Sequence, residues 1–128
     1  MKIKRRSHSP LAKKARRGFR GYPIATIAFY GPDNMRATKV AVAIVSHEGA
    51  EPDPLRRWFS DDVDVRNSRP IGEEILTFIN GHSAKSVFIS DGIIGCPHEE
   101  GIDYAKGTSC PQCPFWAGRD RWTGEKVH

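Results

Sequence analysis

Two nine-residue runs, Tyr22 to Tyr30 (YPIATIAFY) and Thr38 to Ser46 (TKVAVAIVS), carry most of the unbroken apolar character of this chain. Both are rich in β-branched and aromatic residues, and Gly31-Pro32-Asp33-Asn34 between them is a turn signal, so the pattern predicts an antiparallel hairpin. Near-continuous apolar runs, where alternation would mark a half-exposed sheet, further predict a sheet covered on both faces at that point.

After this hairpin the pattern is broken more often. Asp53-Pro54 would open a short helix that carries Leu55, Trp58 and Phe59 to the core. Val63 and Val65 alternate with Asp62, Asp64 and Arg66, as in an edge strand. Ser68 suits the cap of a helix running from Arg69 or Pro70 to about Asn80, with Ile71, Ile75, Phe78 and Ile79 on one face. Glu73 and Glu74 would sit in its first turn, where the helix dipole favours them, and Gly81 would end it. Ser86 to Ser90 (SVFIS) reads as a buried strand. With the edge strand and the helix it would complete a compact, parallel βαβ-like unit.

The fold class expected is therefore α/β, or α+β. A small mixed sheet would combine an N-terminal hairpin, one βαβ-like unit and a C-terminal zinc-binding loop. Asp91, Gly92, Gly95, Cys96 and His98 would leave the carboxyl end of a central strand, the place where open α/β sheets hold ligands.

That loop holds the chemistry. Cys96-Pro97-His98 is followed, after eleven residues, by Cys110-Pro111-Gln112-Cys113, which gathers all three cysteines of the chain beside one histidine. Three thiolates and an imidazole match the donors of tetrahedral Zn²⁺ in Cys₃His sites. Pro111 and Pro114 stiffen the two-cysteine turn and stop a helix from running on. Gly101 and Gly107 mark the intervening segment as a loop whose ends the metal would pin. A disulfide framework fits an odd cysteine count poorly, and a redox pair normally opens a helix that these prolines obstruct.

His98-Glu99-Glu100 with Cys110-x-x-Cys113 also resembles the H-x-E and C-x-x-C elements of zinc nucleoside and base deaminases. The resemblance implies zinc on His98, Cys110 and Cys113, with Glu100 moving protons and water in the fourth position. Two features depart from it. Eleven residues between His98 and Cys110 cannot contain the helix and strand that separate these elements, and Ser109 stands where a proline is expected. Cys96 also supplies a fourth protein ligand, and a complete Cys₃His set leaves no place for the water.

Charge divides the chain in two. Of its 20 Lys and Arg, nine lie in residues 1–21 (Lys2, Lys4, Arg5, Arg6, Lys13, Lys14, Arg16, Arg17, Arg20) with no acid, so the +5 total conceals a body at −4. With little apolar to bury, residues 1–21 are expected to form a disordered basic tail on a single zinc-binding domain spanning 22–128. Lys4, Arg5, Arg6, Lys13, Lys14, Arg16, Arg17 and Arg20 suit a polyanion, and Arg119 and Arg121, interleaved with Trp116 and Trp122, suit bases and phosphates. Packing of Phe115 and Trp116 over the metal site competes with that second reading. The two basic clusters also match a nuclear or organellar address.

No segment reaches the roughly twenty apolar residues of a membrane helix, and thiolate ligands suit a reducing, cytoplasmic setting. The residues thus favour a structural zinc site on a protein that contacts RNA or DNA. The alternatives are a zinc deaminase or hydrolase and an adaptor that binds a protein partner.

Overall fold

The computed structural model describes residues 10–99, 101–108 and 110–117. Four strands form one mixed sheet in the order β3-β2-β1-β4. The predicted hairpin is present: β1 (Ile24–Tyr30) and β2 (Lys39–Val45) pair antiparallel from Ile24 opposite Val45 to Tyr30 opposite Lys39. Its connection demands a glycine for space, because a Cβ on Gly31 would lie 2.0 Å from the Arg36 carbonyl oxygen. Asp33 then closes the turn, Oδ1 accepting the Met35 N–H at 2.8 Å.

The helix expected from Asp53-Pro54 is a strand instead, β3 (Leu55–Phe59), antiparallel to β2. Five residues cannot sustain a helix alone, while the open edge of β2 offers each of them a backbone partner. Alternation then sends Trp58 into the core and leaves Leu55 and Phe59 exposed. The edge strand expected at Val63 to Arg66 is also corrected: Val65–Asn67 is a 3-10 turn. Asp64 is the cause, since its carboxylate takes the Arg66 amide at 2.9 Å and the Ala37 amide at 3.0 Å, which curls the chain before Val65 can extend.

A helix follows as expected, over Arg69–Gly81, with Ser68 Oγ accepting the Ile71 N–H at 3.3 Å. It is α2, since a shorter helix precedes the sheet. Ile75 and Ile79 are buried and Ile71 and Phe78 pack beside them, which is the predicted face. Glu73 and Glu74 fall beyond its first turn; Glu74 instead accepts the Trp58 indole N–H at 2.9 Å.

β4 (Ser86–Ile93) lies parallel to β1. The βαβ-like unit is therefore β3-α2-β4, and its strands are separated by β2 and β1. β4 is an edge strand, which corrects its expected central position. Its register slips between Ile27 and Phe29 of β1. Ser90 Oγ holds that bulge by accepting the Phe29 amide (3.2 Å) and donating to the Gly92 carbonyl (2.8 Å), with Gly92 at φ +82°.

Residues 1–21 are expected from composition to form a disordered tail; within their described part the chain is ordered as follows. Pro10–Arg16 forms α1. Leu11 and Ala15 pack on the core, and the Arg20 amide donates to Ser86 Oγ at 2.7 Å. The sheet face beside β4 supplies the apolar surface that composition alone did not reveal. Residues 1–9 lie outside the described residues.

The two faces of the sheet differ. Ala25, Ile27, Val40, Val42, Ile44, Trp58 and Val87 form the core with α2 on one side. On the other, Thr26 and Phe88 are exposed, and among the described residues only the Tyr30 and Lys39 end lies under the C-terminal loop. Coverage of both faces is thus local to that end. Among the described residues no helix is long and apolar enough to cross a membrane.

Candidate metal centre

From the β4 bulge the chain runs along the end of β1, where the Ile94 amide donates to the Phe29 carbonyl and the Gly31 amide to the Gly95 carbonyl. These bonds aim Cys96 at the loop that follows. Pro97 forces a turn, and the His98 amide donates to Cys96 Sγ at 3.2 Å, which brings the imidazole back over the sulfur. The second pair is turned by a backbone bond instead, the Cys113 amide donating to the Cys110 carbonyl at 3.4 Å. A 3-10 turn, Pro114–Trp116, then leaves the site.

The two turns face each other. Cys96, His98, Cys110 and Cys113 present ligand atoms all within 4.8 Å of one another, in position to hold a metal ion. His98 Nδ1 lies 3.3 Å from Cys96 Sγ, 3.4 Å from Cys110 Sγ and 3.6 Å from Cys113 Sγ. All three cysteines are buried and form a cluster of their own, with Tyr104 and Trp116 against it. Burial pushes the Cys96 and Cys113 thiols up from their ordinary range, and for Cys113 the neighbouring sulfurs push the same way. A bound cation opposes both effects, so binding releases thiol protons and strengthens with rising pH.

Three residues tie this centre to the sheet, and the sequence pattern did not single them out. Lys39, 4 % exposed, donates from Nζ to the Pro97 carbonyl at 3.0 Å and to Glu99 Oε2 at 2.9 Å. Arg57 of β3 reaches the same carboxylate, Nε to Oε2 at 2.6 Å. Lys39 and then Arg57 hold the Glu99 carboxyl below its usual range. The signal in the sequence was a lysine heading an otherwise apolar strand, which has no use in a core unless something pairs with it. Trp116 is the fourth tether: its indole N–H donates to the Gly31 carbonyl at 2.8 Å. Its ring packs on both the sulfur cluster and the main core, as the packing reading expected.

Of the candidate polyanion residues, Lys13, Arg16, Arg17 and Arg20 are exposed and Lys14 is half-buried. Lys4, Arg5, Arg6, Arg119, Arg121 and the candidate acid Glu100 lie outside the described residues.

No protein-family model, no curated protein and no solved structure matches this chain.

Proposed function

We propose that this is a small zinc-binding protein in which Zn²⁺ staples the C-terminal loop to the sheet, while the basic N-terminal segment contacts RNA or DNA. The observation that carries the metal reading is the set of three sulfurs at 3.3, 3.4 and 3.6 Å from one imidazole nitrogen. Zn–S bonds of about 2.3 Å and a Zn–N bond of about 2.0 Å at tetrahedral angles put nitrogen and sulfur about 3.5 Å apart. Cys96, Cys110, Cys113 and His98 Nδ1 would hold the ion, leaving Nε2–H as a donor. Zinc in such a site supplies no chemistry beyond cross-linking, since all four positions belong to the protein. Cys96 fills the position that a deaminase needs for water.

Support for nucleic acid comes from placement. Lys13, Arg16, Arg17 and Arg20 are exposed around α1, which packs on the helical face of the sheet. The acidic Glu99 sits over the opposite face with Lys39 and Arg57. A polyanion can therefore approach α1 without meeting the thiolate centre.

Metal analysis and Co²⁺ absorption spectra of wild type and Cys96→Ser test the first half. One zinc per chain is expected, with an intense thiolate spectrum that weakens in Cys96→Ser. A spectrum indifferent to Cys96 would favour the open, hydrolytic site. For the second half, fluorescence anisotropy with a labelled oligonucleotide should show affinity falling steeply with salt. The triple variant Lys13→Gln, Arg16→Gln, Arg17→Gln should flatten that slope by about 0.7–0.9 for each phosphate it no longer neutralises. Salt-independent binding, or none by wild type, would refute it. A protein partner retained by that variant would favour the adaptor.

A further inference from the structure

On the helical face of the sheet, away from the metal centre, a groove of about 740 Å³ opens between α1 and α2. Ile27, Phe29 and Ile89 floor it, and Leu11, Ile75 and Leu76 wall it. Gly72 stands in the α2 wall, and a Cβ built there meets nothing within 4 Å, so the missing side chain keeps the groove wide.

Polarity is segregated along this groove. Its polar lining comes from one stretch, Arg66 to Arg69 with Glu73, where the 3-10 turn meets α2. Arg66 is fixed there by Asp64, through Nε at 2.9 Å and a terminal nitrogen at 2.7 Å. Arg69 is held loosely: it meets Glu73 at 3.4 Å with its side chain 89 % exposed, an ion pair that a better anion can displace. The first turn of α2 adds the positive end of a helix dipole.

We propose that this groove binds a soluble single-chain amphiphile with an anionic head, such as a monoacyl carboxylate, its chain on Ile27, Phe29 and Ile89 and its head beside Arg69 and Arg66. The volume lies inside the roughly 300–1,000 Å³ of small-molecule sites. An apolar floor with polar groups at one end selects a ligand built the same way. A nucleobase would press its hydrogen-bonding edges against Ile27 and Ile89, where nothing satisfies them, so a nucleic-acid base is the poorer occupant. The site is independent of the metal reading and of nucleic-acid binding.

Isothermal titration of the zinc-loaded full chain with sodium decanoate, below its micelle concentration, tests the proposal. Saturable one-to-one binding is expected. Gly72→Phe places a ring in the groove wall, where a Cβ meets nothing within 4 Å, and should weaken decanoate about tenfold or more while circular dichroism stays native. Leu76→Trp, from the same wall, serves if Gly72→Phe does not fold. Arg69→Ala should weaken decanoate about threefold to tenfold and leave 1-decanol unchanged. No saturable binding by wild type, undiminished binding by a folded groove-filled variant, or decanol bound as tightly as decanoate would each overturn it.

Discussion

Lys39 is the most exacting test of how the metal centre is built into the fold. Replacing it by methionine keeps an apolar stem of similar length and removes only the ammonium, which lies over the Tyr30 ring at 5.2 Å and donates to Pro97 and Glu99. Glu99 would not become an orphaned charge, because Arg57 still reaches it at 2.6 Å. The cost of about 3–5 kcal/mol for stranding one member of a buried pair therefore does not apply in full. What disappears is a charge-assisted bond to the Pro97 carbonyl and half of the Glu99 pair, about 1.5–3 kcal/mol, partly offset because no ammonium need be desolvated. We expect Lys39→Met to lose about 1–3 kcal/mol in urea unfolding of the zinc-loaded protein.

The loss should depend on metal. In the proposed reading zinc closes the loop while Lys39 fastens that loop to β2, so each interaction is worth more when the other is present. The double variant Lys39→Met, Cys113→Ser should fall short of additivity by about 0.5–3 kcal/mol. Glu99 should also titrate nearer the ordinary carboxylate range in Lys39→Met, since Lys39 is the main cause of its depression. A loss under about 0.5 kcal/mol, or an equal loss with and without metal, would refute the strap.

Three further outcomes follow from the structure. Asp64 is held at about 2, from 3.8, mainly by the Arg66 side chain. A depressed carboxyl stabilises the fold fully above its unfolded value near pH 4 and progressively less as pH falls through about 2, so Asp64→Asn should cost about 2 kcal/mol at pH 7 and little at pH 2; a pH-independent difference in denaturant unfolding would contradict this. Trp116→Phe keeps a ring but loses the 2.8 Å bond to the Gly31 carbonyl. It should cost about 1–2 kcal/mol and raise amide hydrogen exchange in the loop around Cys110 more than in β2. Gly31→Ala forces a Cβ to 2.0 Å from the Arg36 carbonyl oxygen and should cost about 2–4 kcal/mol in thermal unfolding, whereas Gly72→Ala, with open space, should be neutral or stabilising.

Some of this molecule was legible because the physics is local. The β1–β2 hairpin follows from two apolar runs and a glycine turn, and α2 follows from a serine cap and apolar residues at helical spacing. The four metal-ligating candidates were legible because soft donors at tight spacings are rare unless they serve one ion. Where a segment was short and its pattern ambiguous, the reading failed. Leu55–Phe59 became a strand because β2 had an unpaired edge, and Val65–Asn67 curled because Asp64 found the Ala37 amide, 27 residues away in sequence. No window of sequence contains either partner.

The sequence by itself therefore determined the donor set, the hairpin, the capped helix and the separation of a basic start from an acidic body. Each depends on residue type and on spacing within a few positions. Tertiary structure alone decided that β4 pairs with β1 at the sheet edge and that α1 folds onto the core. It also decided that Lys39, Arg57 and Glu99 fasten the metal loop, and that a groove opens between the two helices. Those features arise from contacts between residues distant in the chain, whose energies exist only once backbone pairing has brought them together.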